Sequence, residues 1–334
     1  MKRKQSGLRI MSRLIVLVKP LSGFMCLAVL LGVLGFLCAI QITVAGSLTL
    51  LTAAKISGGI AIKTGCICII IFAVLRGFLH YGEQACNHYI AFKLLALIRD
   101  KVFKAMRRLS PAKLEGKDKG NLVSVITSDI ELLEVFYAHT ISPTCIAILT
   151  CIIMLIFIGR YSVWLSLVAL AAYITVGAVI PLVSSKVNKN VGMTYRDSSG
   201  ALSGFVLDSM RGLLESIRYN STDKRLEEMD KKTDDLNSLQ DRLKKIEGHT
   251  GAVTDIAIIF FSVAMLLTGI ALYQKGVIGF DGMIVSTVSM MSSFGPVAAL
   301  SGLAGNLTHT LAAGERVLGI LDETPVVEEN TDGK

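Results

Sequence analysis

Apolar runs alternate along this chain with charged stretches whose hydrophobic positions repeat at a helical period. Six segments hold the roughly 20 mostly apolar residues that a membrane-spanning helix requires. They are residues 21–44, 60–79, 141–158, 163–183, 252–273 and 282–303. The fourth and sixth are interrupted by Pro181 and by Gly295-Pro296. An intramembrane proline is tolerated where neighbouring helices or a cavity satisfy the freed carbonyl. On one side of the bilayer the connections are short, around 47–62, 159–162 and 274–281. On the other they run to about 60 residues each and lack the Pro, Gly and Ser clusters of long loops. After His80, the residues Phe92, Leu95, Ile98, Val102, Phe103 and Met106 keep a helical spacing, so 60–108 reads as one helix. At 1.5 Å per residue it is about 73 Å long against about 30 Å of hydrocarbon, and must project from the bilayer. The stretch 184–248 behaves alike. Leu202, Phe205, Val206, Met210, Leu213, Leu214 and Ile217 hold the period up to a break at Tyr219-Asn220-Ser221-Thr222. A charged helix with Leu226, Met229, Leu236, Leu239, Leu243 and Ile246 as its stripe follows. The predicted fold class is an all-α membrane protein with six transmembrane helices and long cytoplasmic helical extensions. Ahead of the first span, Leu8, Met11, Leu14, Ile15 and Val18 share a face, ended by Pro20. This is either a short amphipathic helix in the headgroup region or an extension of the first span.

Composition agrees with that pattern. Only 18% of the 334 residues are charged, against about 25% in soluble chains. Of the 60 charged residues, 23 fall within 186–247, while 26–54 carries none, which excludes a disordered or collagen-like chain. With the N-terminus placed inside, 29 of the 34 Lys and Arg residues lie in cytoplasmic segments and four in outer loops. That asymmetry predicts a multi-pass protein of the cell membrane (the inner membrane in a bacterium) with both termini cytoplasmic. The net charge of +8 then needs no nucleic acid to explain it. The seven cysteines lie in or near apolar runs and read as packed thiols. Cys66-x-Cys68 lacks the spacing of a zinc pair or a redox motif, and no metal site is predicted. The run after Pro20 is too long for a signal peptide and lacks a small-residue cleavage site.

Three stretches carry a resemblance. Between the second and third spans the chain reads Gly120-Asn121-Leu122-Val123-Ser124-Val125-Ile126-Thr127-Ser128-Asp129. The second long connection carries Gly212-Leu213-Leu214-Glu215-Ser216-Ile217-Arg218-Tyr219, and after the last span come Glu315-Arg316-Val317-Leu318-Gly319-Ile320-Leu321-Asp322. Together these resemble the transmembrane half of a type I ABC exporter along the whole chain. Asn121 and Val125 stand where the family's first coupling helix has Asp and Arg. The resemblance implies an elbow helix and cytoplasmic N-terminus in 1–19, a six-helix domain in 20–321 with hairpins 80–140 and 184–250, and a linker in 322–334. That linker would lead toward a nucleotide-binding domain absent from these residues. It also implies that Gly120, Asn121, Leu122, Ser124, Asp129, Tyr219, Asn220, Thr222 and Asp223 couple the bundle to that domain, which would bind ATP and Mg. Tyr81-Gly82-Glu83, His88, Ala91-Phe92 and Leu95-Ala96-x-Ile98-Arg99 are similar to the CydC-type subunit of thiol-reductant exporters, as are Tyr137-Ala138-His139 and Ser293-Phe294-Gly295-Pro296. Such subunits pair with a homologous half-transporter, export cysteine or glutathione, and support cytochrome bd assembly.

No Gly-x-x-x-x-Gly-Lys-Ser/Thr occurs, and Gly314-x-x-x-x-Gly319 is followed by Ile320-Leu321, so no ATP site is assigned to these residues. No catalytic residues emerge here, and the resemblance implies that the full-length protein is an ABC-type ATP-hydrolysing translocase. Arg76, His80, Glu83 and Asn87 form one polar stripe on the second span. Arg76 would either bind a substrate carboxylate or pair internally with Glu83 or a second subunit, because an arginine facing lipid costs at least about 2.5–3.5 kcal/mol. Ser289, Ser292 and Ser293 of the sixth span would line a cavity or serve helix packing. His88 is either a haem ligand, as the resemblance allows, or a solvated interfacial histidine. The function expected is export of a small thiol by alternating access. The alternatives are another cargo (haem, peptide, lipid or drug) and a membrane docking module without transport.

Overall fold

The computed structural model describes residues 7–56, 60–110 and 125–325. Eleven α-helices are seen among them: α1 Gly7–Leu17, α2 Ser22–Ala53, α3 Ile62–Leu109, α4 Ile130–Phe136, α5 Ser142–Gly159, α6 Val163–Ile174, α7 Ile180–Arg211, α8 Leu213–Arg218, α9 Thr222–Gln274, α10 Phe280–Ser292 and α11 Phe294–Leu321. Six helical stretches are long and apolar enough to cross a membrane: Lys19–Ala53, Ile62–Leu109, Ser142–Gly159, Val163–Lys186, Thr222–Gln274 and Phe280–Leu300. The six-span, all-helical expectation therefore holds. The 48 residues of α3 and the 53 of α9 extend about 72 and 80 Å at 1.5 Å per residue, more than twice the hydrocarbon thickness.

Prolines shape the bundle by a common device. Proline has no N–H and its ring crowds the carbonyl four residues back. Ahead of Pro143 and Pro181 the helix widens into π-turns, Tyr137–Ile141 and Thr175–Val179, and each proline then sits in the first turn of the resumed helix. At Pro296 the ladder breaks instead, between α10 and α11. Ser293 N–H is shared there between the carbonyls of Ser289 and Met290, both at 3.1 Å. Both interruptions anticipated from Pro181 and Gly295-Pro296 are thus present.

Two cores hold the chain. The bundle core joins Ile40 and Val44 of α2, Met154 and Ile158 of α5, Leu165 and Ala169 of α6, Met265 of α9, and Met290, Phe294 and Val297 across the break. Close backbone approach tightens it: a Cβ on Gly177 would meet Val297 Cγ1 at 2.9 Å, and one on Gly269 would meet Met283 Cγ at 2.8 Å. The second core lies at the foot. It gathers Ile10, Leu14 and Val18, the far half of α3 from Ile90 to Leu109, Ile130, Leu133, Phe136 and Tyr137, and Val317, Leu318 and Ile320 of α11.

The short N-terminal helix is present, but its faces divide differently from the single stripe expected. Ile10, Leu14 and Val18 are buried against protein, with Leu14 Cδ1 at 2.8 Å from where a Gly314 Cβ would stand. Ile15 and Val16 are left exposed, on the side available to headgroups. The Tyr137 hydroxyl donates to the Leu14 carbonyl at 2.8 Å, and its burial pushes the phenol's pKa up. Arg13 reaches α11's end with a two-pronged bond to Asp322, at 2.5 and 2.6 Å.

Candidate functional site

The polar stripe of α3 faces a part of α2 where glycines withdraw the side chains. Gly32 and Gly35 lie there. A Cβ on Gly32 would sit 2.3 Å from Ile146 Cδ1 and 3.2 Å from the Glu83 carboxyl carbon, so only glycine fits and the carboxyl rests against the α2 backbone. Gly32, Gly35, Phe36, Arg76, His80 and Glu83 enclose a cavity of about 80 Å³. Glu83 is buried, as is Asn87 one turn on, while Arg76 and His80 reach the open side. His80 Nδ1 lies 3.2 Å from Glu83 Oε2, and Asn87 Nδ2 donates to Glu83 Oε1 at 3.4 Å. The ion pair weighed for Arg76 with Glu83 does not form, and among the described residues Arg76 has no carboxylate partner. A guanidinium at the mouth of a small cavity, with a carboxylate at its base, can hold an anionic group bidentately.

The sixth-span serines do not join this cluster. Ser289 and Ser293 are buried inside the bundle. The Ser293 hydroxyl bonds the Tyr173 hydroxyl at 2.5 Å, and Ser292 meets Thr43 of α2 at 2.7 Å. These contacts tie α10 to α6 and α2. One side chain connects the two regions: a Cβ on Gly295 would stand 3.3 Å from Phe36 Cε1, so the ring that walls the Arg76 cavity also touches the break between α10 and α11.

Of the residues expected to couple to an ATPase domain, Gly120, Asn121, Leu122 and Ser124 lie outside the described residues. Asp129 is buried and ion-paired with Arg316 of α11. Burial raises its carboxyl pKa more than Arg316 lowers it, so it titrates above the ordinary carboxylate range. Arg99 and Glu131, 3.5 Å apart, link α3 to α4 beside it. The importance of Arg316 and Arg13 was not legible beforehand, because their partners lie 187 and 309 positions away. At the second tip the helix stops at Arg218. Asn220 takes the left-handed conformation (φ 50°), which asparagine tolerates better than most residues. Tyr219 is 82% exposed, Thr222 opens α9, and Asp223 lies in its first turn, where the helix dipole favours an acid.

Two cofactor expectations meet the geometry. Gly314 and Gly319 are internal to the α11 helix, so their segment forms no phosphate-cradling loop. His88 stands on an exposed face, its ring 6.1 Å from that of Phe92 and 21° from parallel. One nitrogen on an open face does not enclose a porphyrin, so around His88 the described residues do not form a haem pocket. No cluster of three or more His, Cys, Asp or Glu residues suited to a metal occurs among the described residues.

Comparison with known proteins places the chain. Residues 21–297 match the model of the ABC transporter transmembrane region. Over 326 residues, 98% of the chain and 59% of the relative, it is 42% identical to a probable ABC transporter ATP-binding/permease protein of Haemophilus influenzae. It is 22% identical to the glutathione/L-cysteine transport system ATP-binding/permease protein CydC of the same organism, across 77% of the chain and 45% of that protein. A third relative, the ATP-dependent lipid A-core flippase of Shewanella frigidimarina, is 27% identical over 44% of the chain and 24% of its own length. The chain thus spans between a quarter and three-fifths of these relatives. The helical bundle, its proline-broken spans and its long helical extensions, together with this match, show that the chain belongs to the ABC transporter transmembrane region family, with a type I exporter fold.

Proposed function

We propose that this chain is the permease part of an ATP-driven exporter, and that its cargo is a small carboxylate-bearing thiol such as cysteine or glutathione. The observation that carries the cargo reading is the guanidinium of Arg76, which has no carboxylate partner among the described residues and stands at the mouth of the cavity lined by Gly32 and Gly35. An exposed arginine on a helix long and apolar enough to cross a membrane is costly where it meets lipid, and a substrate carboxylate offsets that cost. The similarity to a protein named as a glutathione/L-cysteine transport component supports the thiol class.

In this reading a nucleotide-binding domain grips the cytoplasmic hairpin tips and a homologous half-transporter completes the pathway. Only 6% of the most apolar stretch of α3 is buried within the chain, which leaves that helix free to face lipid or a second half. Closure of the ATPase domains would swing the hairpins, and the Phe36 contact with Gly295 would relay movement of the α10–α11 break to the Arg76 cavity. The positive-inside asymmetry supports a cytoplasmic location of both termini, and the export direction rests on the resemblance to type I exporters alone.

The test uses the full-length protein with its partner in inverted membrane vesicles, supplied with labelled cysteine, glutathione or haem. ATP-dependent uptake of a thiol is expected. Arg76→Gln should reduce uptake at low substrate about tenfold or more, the scale of a lost charge-assisted hydrogen bond. Arg76→Lys, a point charge in place of a planar fork, should recover part of the loss. Wild-type thiol uptake in Arg76→Gln would refute the assignment.

A further inference from the structure

A groove of about 490 Å³ lies away from Arg76, between α7 and α9 at the neck of the second hairpin. Val179, at the end of a π-turn, forms one wall with Ile180 and Val183 of α7, and Lys245, His249 and Val253 of α9 stand on the other. Two hydroxyls also line it. Ser184 and Thr250 bond each other at 2.8 Å, and Thr250 donates to the Ile246 carbonyl at 2.8 Å, so both hydroxyl protons are already used. The chain does not fill the opening: Val179, Val183 and Val253 remain 49%, 58% and 41% exposed.

Polarity is graded along the groove. Lys245 to Val253 is eight residues, about 12 Å at 1.5 Å per residue. Lys245 and His249 stand four apart, hence on one face of α9, at the end that continues into the charged run. Val253 lies within the apolar run that begins at 252, and the α7 wall belongs to the span Val163–Lys186. Lys245 has no carboxylate partner among the described residues, and the neighbouring ion pair joins Lys244 to Glu247 at 3.5 Å instead.

A cationic end that continues into an aliphatic trough within membrane-spanning helices matches an anionic amphiphile. We propose that the groove binds an anionic phospholipid. An acyl chain lies along the valines and isoleucines, and the phosphate meets Lys245 and His249. The ammonium offers three N–H donors and the imidazole at least one in either protonation state. A zwitterionic lipid fits the aliphatic walls equally well but gains less at the cationic end, and free phosphate gains only there. A second copy of this chain, itself at +8, brings no excess of acid to Lys245. Once bound, the lipid ties α7 to α9 at the neck of the hairpin, and the folded state is stabilised by that binding. The site is independent of the cargo.

The experiment follows the melting temperature of the delipidated full-length protein with its partner in detergent, as phosphatidylglycerol, phosphatidylcholine or inorganic phosphate is added. Phosphatidylglycerol should act at about fivefold or more lower concentration than phosphatidylcholine, the scale of one basic side chain beside anionic lipid. Phosphate alone should have no effect. Lys245→Ala should weaken phosphatidylglycerol about fivefold and leave phosphatidylcholine unchanged, and adding His249→Ala should make the two lipids equal. Val183→Trp, which fills the groove from an exposed position, should abolish the preference, and Val253→Trp serves if that variant fails to accumulate. Equal action of the two lipids on the wild type would overturn the site, as would phosphate reproducing the phosphatidylglycerol effect. A preference that survives both Lys245→Ala and Val183→Trp would place the lipid elsewhere and overturn it too. Gel filtration of Val183→Trp supplies the last check: a pair that dissociates while keeping its lipid preference would make the groove a subunit contact and end the proposal.

Discussion

The two long helical hairpins are built from similar helices and are packed in opposite ways. In the first, the far half of α3 buries Ile90, Leu94, Ile98, Val102, Ala105 and Leu109 against α4, the N-terminal helix and α11. In the second, the apolar residues stay outside: Met210, Leu214, Ile217 and Tyr219 are 70%, 71%, 60% and 82% exposed. Its long helices α7 and α9 pack together through half-buried residues such as Phe205, Met229 and Leu236, with a few polar ties. Arg225 donates to Ser209 at 3.0 Å and, with Lys232, lies over the Phe205 ring. Ser184 and Thr250 meet at 2.8 Å where α7 and α9 leave the bundle. One hairpin is thus part of its own chain's core, and the other carries an apolar tip that its own chain does not cover. Large exposed apolar patches mark surfaces that meet another molecule. The buried part of the first hairpin links α3 to α11, while the exposed apolar tip of the second fits the coupling contact proposed above.

The contrast breaks most readily in the packed foot. Leu94→Ala should lower stability by about 2–5 kcal/mol, as for truncation of a fully buried leucine, whereas Leu214→Ala should change it by less than about 0.5 kcal/mol. Thermal unfolding of the purified chain in detergent compares them directly, and equal losses would erase the distinction.

Next comes the pair that joins the first hairpin to α11. Removing Arg316 leaves the buried Asp129 carboxylate without its partner, whereas removing the Asp129 charge leaves a half-exposed arginine that water can solvate. Arg316→Ala should therefore cost about 1–3 kcal/mol, more than Asp129→Asn, and the double variant should recover part of the loss. The sign with pH follows from burial, which already holds the Asp129 pKa above its unfolded value. The folded chain binds that proton more tightly, so the contribution is present below the unfolded pKa and is lost as pH rises through the folded one. Arg316→Ala should accordingly be least destabilised at acid pH and worsen toward neutrality. Melting temperatures of the variants across that range provide the check. The smallest effect is expected at Arg13, whose bond to Asp322 is well formed but exposed at both ends. Arg13→Ala should shift stability by about 0.2–1 kcal/mol, and added salt should shrink the difference.

Much of this architecture could be read in the sequence because it is local. The long second helix was expected over 60–108 and runs Ile62–Leu109, and the break at Tyr219–Thr222 falls where the apolar period stops. Periodicity and proline act over a few residues, so they survive without tertiary information. The N-terminal helix was harder because it has apolar residues on both sides, and lipid and protein interiors select the same side chains. Hydroxyls in the sixth span were ambiguous for a similar reason. Ser286 and Thr287 satisfy themselves on carbonyls four residues back, so their presence says nothing of a cavity. That Arg76, His80 and Glu83 stand together was legible from their helical spacing, and the structure places them around one cavity. The role of Gly32 as the wall behind Glu83 was not, since it depends on how α2 crosses α3.

The claim on which the comparison rests is that the second tip meets an ATPase domain. The direct measurement is cysteine crosslinking in the full-length protein, with the seven native cysteines replaced. Single cysteines at Tyr219, Thr222 and Asp223 of the tip should each crosslink to a cysteine in the nucleotide-binding domain, and the yield should change when ATP is added. A control at Lys275, in the turn after α9 at the opposite end of that helix from the tip, should give none. Crosslinks from Lys275 with none from the tip would invert the topology and contradict the account.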